Sequence, residues 1–328
     1  MNAPKLDGPK LDGPKLDGLA RCLAPIARVS RDAASAPLTT YRVGGSIGLL
    51  VEVESLPDLL AVSATLGDVA ASCRVIGRGS NLLVADEGFP GVVVRLGVDF
   101  ESVDCRADLE CIRAGGAAPL PVLARQSAIA GLRGLEFFVG IPGTVGGAVR
   151  MNAGGHGTET VDMIESATLL TIGTSEPVVV SRADLALGFR CSAVRSDQVV
   201  VAAEFRGAHG DAAMARAEID EVVRWRRANQ PGGQNCGSVF VNPVGDSAGR
   251  VIDGCGLKGA RVGGAIVSEK HANFIQAEPG ATAADVLALI EHVRVAVFDA
   301  TGIELRTELC VLGDESEGPP SRASEVRA

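Results

Sequence analysis

The chain has 328 residues and a formal net charge of −9, with 31 Lys and Arg against 40 Asp and Glu. Hydrophobic residues make up 46% and charged residues 22%, which excludes bulk disorder and provides for a sizeable buried core. The acidic balance argues against non-specific binding to nucleic acid or an anionic membrane, so an anionic ligand needs a local concentration of positive charge.

In chain order, the pentapeptide Pro4-Lys5-Leu6-Asp7-Gly8 comes first and recurs at 9–13 and 14–18. Short copies rich in proline, glycine and charge offer no core, so 1–18 is expected to be a disordered tail, as is the polar stretch 314–328. No apolar signal-peptide core and no apolar run near ~20 residues is present, so a cytoplasmic location with reduced thiols and no membrane insertion is expected. Residues 49–53 read as a strand, and 57–66 as a helix with Pro57 at its first position and Asp58 in its first turn. Strands at 75–76 and 92–96 flank a glycine loop; 111–114 is a further strand and 121–129 a helix. A hairpin pattern joins 166–172 to 178–180, and 199–203 reads as a strand. From about 211 the character changes. Residues 212–228 read as one long helix and 283–300 as another, with Val286, Leu289, Ile290, Val293 and Val297 on one face. Thr282 with Asp285 forms a capping-box pattern, Gly302 fits a C-terminal glycine, and 305–312 alternates as a last strand. Gly207 and Gly210 put the main boundary near 206.

The eight cysteines form no Cys-x-x-Cys pair and the four histidines no His-x-x-x-His spacing, so no metal site is expected. Two glycine-rich loops carry more information. Gly77-Arg78-Gly79-Ser80-Asn81-Leu82 follows a strand, and its small residues let successive N–H groups converge into an anion nest, an ordinary β-turn being the alternative. It is neither a Gly-x-Gly-x-x-Gly fingerprint nor a phosphate loop ending in Gly-Lys-Ser/Thr. Gly140-Ile141-Pro142-Gly143-Thr144-Val145-Gly146-Gly147, followed by Asn152-Ala153-Gly154, has little side-chain bulk. That suits backbone packed against a large flat or phosphorylated ligand, or else a structural crossing of chains. Two such loops together favour a dinucleotide.

Further blocks stand around these loops: Thr40-Tyr41-Arg42-Val43-Gly44-Gly45, Gly134-Leu135-Glu136-Phe137, Cys236-Gly237-Ser238-Val239-Phe240-Val241-Asn242-Pro243, Gly256-Leu257-Lys258-Gly259, and Ser268-Glu269-Lys270-His271-Ala272-Asn273-Phe274. In this order, over about 39–313, the chain resembles the UDP-N-acetylenolpyruvoylglucosamine reductase family. The resemblance implies an α+β chain with a two-subdomain FAD-binding fold of the vanillyl-alcohol oxidase / p-cresol methylhydroxylase type at 19–206, its subdomains at about 19–95 and 96–206. A C-terminal α+β substrate-binding domain would occupy 207–313. The short interval between Pro243 and Gly256 matches the type II form of the family. Implied with it are FAD held non-covalently, NADPH as hydride donor, UDP-N-acetylglucosamine enolpyruvate as substrate, a monomeric state, and a role in peptidoglycan precursor synthesis.

The same resemblance carries residue roles. FAD would be held by Gly77, Arg78, Gly79, Ser80, Asn81 and Leu82, by Gly140, Ile141, Pro142, Gly143, Thr144, Gly146 and Gly147, and by Asn152, Ala153 and Gly154. Ser238 matches the proton donor, against an ordinary turn serine. Arg190, in Phe189-Arg190-Cys191-Ser192, matches the cation at the substrate carboxylate, where a bidentate guanidinium suits the task. Glu308 matches the C-terminal glutamate; an exposed ion pair with Arg306 is the alternative. Arg226, Asn229, Asn242 and Glu269 would contact substrate. Phe189, Asn229 and Val241 depart from the family pattern, which has Tyr, Lys, and Lys or Thr there. Two other readings stay open: an oxygen-using FAD enzyme on the same fold, and a non-catalytic nucleotide-sugar binding protein.

Overall fold

Leu11 and Leu16, from the second and third pentapeptides, are buried. Asp12 caps a helix over Gly13–Leu23, its carboxylate accepting from the Lys15 amide at 2.9 Å. Pro14 falls in the first turn, where a missing N–H breaks no helical bond. Leu11, Leu16 and Leu23 join a core containing Leu49, Val51, Leu59 and Val92. This corrects the expectation of disorder for 11–18: one leucine per repeat cannot build a core, but it can complete one that a sheet already offers. The computed structural model describes residues 11–313, so the rest of both expected tails, 1–10 and 314–328, lies outside the described residues.

The sheet that receives this helix has four strands in the order Arg28–Ala34, Ser46–Val53, Phe89–Leu96, Cys73–Ile76, the first pair antiparallel and the others parallel. Ser46–Val53 is apolar and buried along most of its length, as a strand covered on both faces must be. The helix Leu56–Leu66 follows, with Ser55 as its cap and Pro57 in its first turn. A second, antiparallel sheet runs Val178–Ser181, Ile164–Thr171, Gln198–Arg206, Cys111–Gly115, Val103–Arg106. Its first pair is the expected hairpin, with Leu169 opposite Val178. Phe138 and Phe205 meet edge to face at 5.8 Å in its core. Ala215, Ile219 and Val222 of the helix Ala212–Asn229 pack into that same core. That helix, beyond the glycines near 206, thus packs with the second sheet.

The third core belongs to the helix Ala283–Thr301 and a small sheet of Arg261–Val262, Ala265–Val267 and Ile275–Ala277. The five apolar residues picked out by periodicity are all buried, both bonds of the Thr282–Asp285 capping box form, and Gly302 adopts φ 71°. Residues 305–312 are not one continuous strand. Thr307 bridges to Phe240, and only Cys310–Leu312 forms a strand, parallel to Leu82–Val84. The end of the third unit thus returns to the segment just after the first glycine loop, and Tyr41, Val43 and Leu83 share its core. That return brings the candidate site together.

Candidate active site

The two glycine loops face each other. A side-chain carbon at Gly143 would lie 3.5 Å from the Ser80 hydroxyl, and one at Gly77 would press on Thr144 at 2.5 Å. Gly79 has φ +60°, a conformation that favours glycine. Thr40 braces it, directing its amide and hydroxyl to the Gly79 carbonyl at 3.3 and 3.4 Å. The amides of Gly79, Ser80 and Asn81 find no acceptor among the described residues. By contrast, Val145 and Gly146 donate to Ala118 and Gly116, and Gly147 donates to the Thr144 hydroxyl. Amides without an acceptor among the described residues thus lie on the first loop and also at Gly143 and Thr144 of the second, which adds a surface with little bulk. A run of unpaired amides opposite glycine backbone fits the diphosphate and flat ring of FAD. Arg78, beside them, is exposed.

Asn81 links this cradle to the end of the chain. Its side-chain amide donates to the Glu308 carbonyl at 2.9 Å, and its carbonyl accepts from the Cys310 amide at 3.2 Å. The Glu308 carboxylate accepts from Nε of Arg190 at 2.9 Å, so the alternative pairing with Arg306 is not formed. Burial raises the Glu308 carboxyl above its ordinary range, an effect that Arg190 opposes only in part. A carboxyl in that state can hold a proton nearer to neutral pH than a surface glutamate can. Arg190 itself has φ +53°, a strained value for a non-glycine residue, and its guanidinium lies 5.1 Å from the Phe189 ring. Phe189 is 57% exposed and has no hydroxyl to offer there.

Asn152 holds Arg190 from the second loop. It caps the helix Val145–Met151 in a left-handed conformation, and its backbone carbonyl accepts from Arg190 Nη1 at 3.4 Å. Its side chain donates to the Gly188 carbonyl and to Glu159, both at 2.9 Å, and accepts from the Val161 amide. Ala153 and Gly154 carry the chain to Glu159: the Ala153 carbonyl accepts from Thr160, and Gly154 pairs with Glu159. Gly140 lies by Arg226 and His156. Leu82 opens the strand that pairs with Cys310. Ile141 and Pro142 complete the second loop between Gly140 and Gly143.

Ser238 is half-buried and follows Gly237, whose φ is +84°. The next residue, Val239, accepts the Glu308 amide at 2.9 Å, so Ser238 stands beside the Glu308 segment. No acceptor or donor is found for its hydroxyl among the described residues. Cys236 is buried, and burial pushes its thiol up to about 12, which disfavours the thiolate form a nucleophile needs.

The four expected substrate residues are more dispersed. Burial lowers the Arg226 guanidinium below its usual value, and its Nε donates to Gln230 at 2.6 Å. Asn229 is exposed, its amide donating to the Trp225 carbonyl at 2.8 Å. Asn242 accepts the Ala248 amide at 3.0 Å and so helps start the helix Ala248–Gly254. Glu269 is exposed near Gly259. Among the described residues no cluster of His, Cys, Asp and Glu is able to hold a metal. Sequence reasoning missed Glu159. Its only local signal was Glu159 with Asp162, which forms a capping box and reads as plain helix chemistry.

Comparison with known proteins gives the same picture along the chain. The model of the UDP-N-acetylenolpyruvoylglucosamine reductase C-terminal domain matches residues 229–312, and an FAD binding domain model matches 47–181. UDP-N-acetylenolpyruvoylglucosamine reductase of Sphingopyxis alaskensis is 41% identical over 287 residues, 87% of this chain and 95% of that one. The protein of the same name from Paramagnetospirillum magneticum is 42% identical over 87% of this chain and 92% of its own. The crystal structure of the Thermus caldophilus reductase superposes with a TM-score of 0.76 at 36% identity, covering 87% of this chain and 99% of that one. With its FAD-type loops, its C-terminal domain and relatives of this closeness over nearly their whole length, the chain belongs to the UDP-N-acetylenolpyruvoylglucosamine reductase family.

Proposed function

We infer that the chain reduces UDP-N-acetylglucosamine enolpyruvate to UDP-N-acetylmuramate, a step in peptidoglycan precursor synthesis, as an FAD-dependent NADPH oxidoreductase. The observation that carries this reading is the Arg190–Glu308 pair, tied through Asn81 to the glycine cradle. FAD, when bound, supplies a hydride acceptor for NADPH and a hydride donor for the enolpyruvyl C3. The residues must then manage charge and one proton. As C3 receives hydride, negative charge builds on the substrate carboxylate and its adjoining carbon, and C2 must gain a proton. Arg190 binds that carboxylate, since both N–H groups of its Nη2 are unclaimed among the described residues. Ser238 gives the proton to C2. Glu308, largely shielded from solvent and with its carboxyl raised above the ordinary range, stabilises the enol form with Arg190 and supports proton delivery.

Support for the substrate side is positional. Arg226 lies against Gly140 at the rim of the second loop, where a diphosphate would have to pass. Arg224 and Arg227 lie on the same helix and are exposed, giving an acidic chain the local positive charge that such a ligand needs. Non-covalent attachment of FAD, a monomeric state and a cytoplasmic location belong to the same proposal. Among the described residues no helix is long and apolar enough to cross a membrane.

An anaerobic visible spectrum tests the whole reading. Limiting NADPH should bleach the flavin band, and the enolpyruvyl sugar should restore it. Bleaching without recovery would leave a flavoprotein with another acceptor; folded protein without a flavin band would favour a binding protein.

A further inference from the structure

We propose that Glu159 is a positioning residue for this reaction, setting the place and the charge balance of Arg190. The proposal rests on the reading of Arg190 given above. Arg190 lies between two carboxylates: Glu308 takes its Nε at 2.9 Å, and Glu159 lies 3.6 Å from its Nη1. Nη1 also reaches the Asn152 carbonyl at 3.4 Å. With Nε and Nη1 engaged, Nη2 is the edge left for an incoming carboxylate, and the fork can turn neither toward Glu308 nor away from it without losing one partner. Glu159 is itself fixed. Its other oxygen accepts from Asn152 Nδ2 at 2.9 Å, and its amide donates to Asp162 at 2.8 Å. The same short segment pairs with Gly154 of the second glycine loop. One residue therefore couples the loop, the asparagine and the guanidinium.

Charge gives Glu159 a second effect. Its carboxylate shares the Arg190 guanidinium with Glu308 and repels the ground-state carboxylate of the substrate. Removing that charge while keeping the amide shape should loosen the geometry of Arg190 and tighten its hold on any carboxylate. The expected pattern is a split between rate and affinity. Glu159→Gln should slow reoxidation of the flavin by the enolpyruvyl sugar roughly 10- to 100-fold, the scale of an ångström-sized misplacement. It should bind UDP-N-acetylmuramate, measured by calorimetry, as tightly as the parent protein or more tightly. Reduction by NADPH serves as the control for an intact flavin site.

The glutamine variant separates charge from bracing, because its side-chain oxygen can still accept from Asn152. If Glu159 only braces the loop, Glu159→Gln reoxidises at the parent rate, and the proposal fails. If rate and product affinity fall together, the loop has been disrupted and the proposal fails as well. Arg190→Lys, assayed in parallel, isolates the parent reading. Slow reoxidation in Arg190→Lys alone rejects only Glu159, whereas normal reoxidation in both variants rejects the role of Arg190 itself.

Discussion

In the proposed mechanism Ser238 and Glu308 divide the proton chemistry between a weak acid and a carboxyl of altered acidity, and each makes its own prediction. Ser238→Ala should still be bleached by NADPH but lose reoxidation by the enolpyruvyl sugar by roughly 10²–10⁴-fold, the range expected for a lost general acid. Reoxidation at the parent rate would remove Ser238 from the mechanism. For Glu308 the folded carboxyl titrates above the unfolded one because burial outweighs the pull of Arg190. Its stabilising contribution is then fully present below the ordinary glutamate range and is lost as pH rises through the raised value. Glu308→Gln has no such titration, so the urea midpoint of the parent should fall relative to that of Glu308→Gln as pH rises through that window. Parallel curves would show an unperturbed glutamate. Ser238, Arg190 and Glu308 were legible in the sequence as candidates because each matches a family position, and the structure places Arg190 against Glu308. Glu159 was not, because its contact to Arg190 is long-range, its bond to Asn152 follows no regular helix or strand spacing, and its local pattern is that of a helix start.

At the scale of elements, legibility followed the strength of the local signal. The helix Ala283–Thr301 had an apolar stripe, a capping box and a terminal glycine, and the structure has all three. Thr282→Ala removes the side chain that accepts the Asp285 amide at 3.1 Å and should cost about 1 kcal/mol in urea unfolding. No change in midpoint would mean that solvent caps this end equally well. The last strand was only half legible. Alternation from 305 to 312 set Leu305 and Leu309 in the core, but it had no way to show that the chain changes partners midway, from Phe240 to Leu82–Val84. Such a change is set by the partner segments, whose positions depend on the whole fold. It matters because Glu308 lies in the interval between the two pairings, where Asn81 holds its backbone carbonyl. Asn81→Ala should therefore loosen both the cradle and Glu308. The expected result is weaker FAD retention on gel filtration together with slower reoxidation of what flavin remains; a loss confined to either one would mean that Asn81 serves only that side.

Across the described residues, the three larger cores are closed by segments remote in sequence, and the N-terminal pentapeptides are the least expected of these. Composition placed them outside any core, since Pro, Gly and charge dominate each copy. The structure uses their sparse features singly: Asp12 as a cap, Leu11 and Leu16 as core residues, and Asp17 as a partner for Nε of Arg31 at 2.9 Å. The helix they start lies against the strands Arg28–Ala34 and Ser46–Val53, so its contribution is to the first sheet and its stability. Leu16 is 4% exposed, and its truncation leaves a gap that the sheet cannot follow inward. Leu16→Ala should therefore cost about 2–5 kcal/mol in urea unfolding, while the surviving folded protein turns over at the parent rate. A disordered tail predicts no change in midpoint for the same substitution. A large loss of turnover at full folding would instead connect this helix to the flavin cradle, through Gly48 and the strand that carries it toward the Thr40–Gly45 segment.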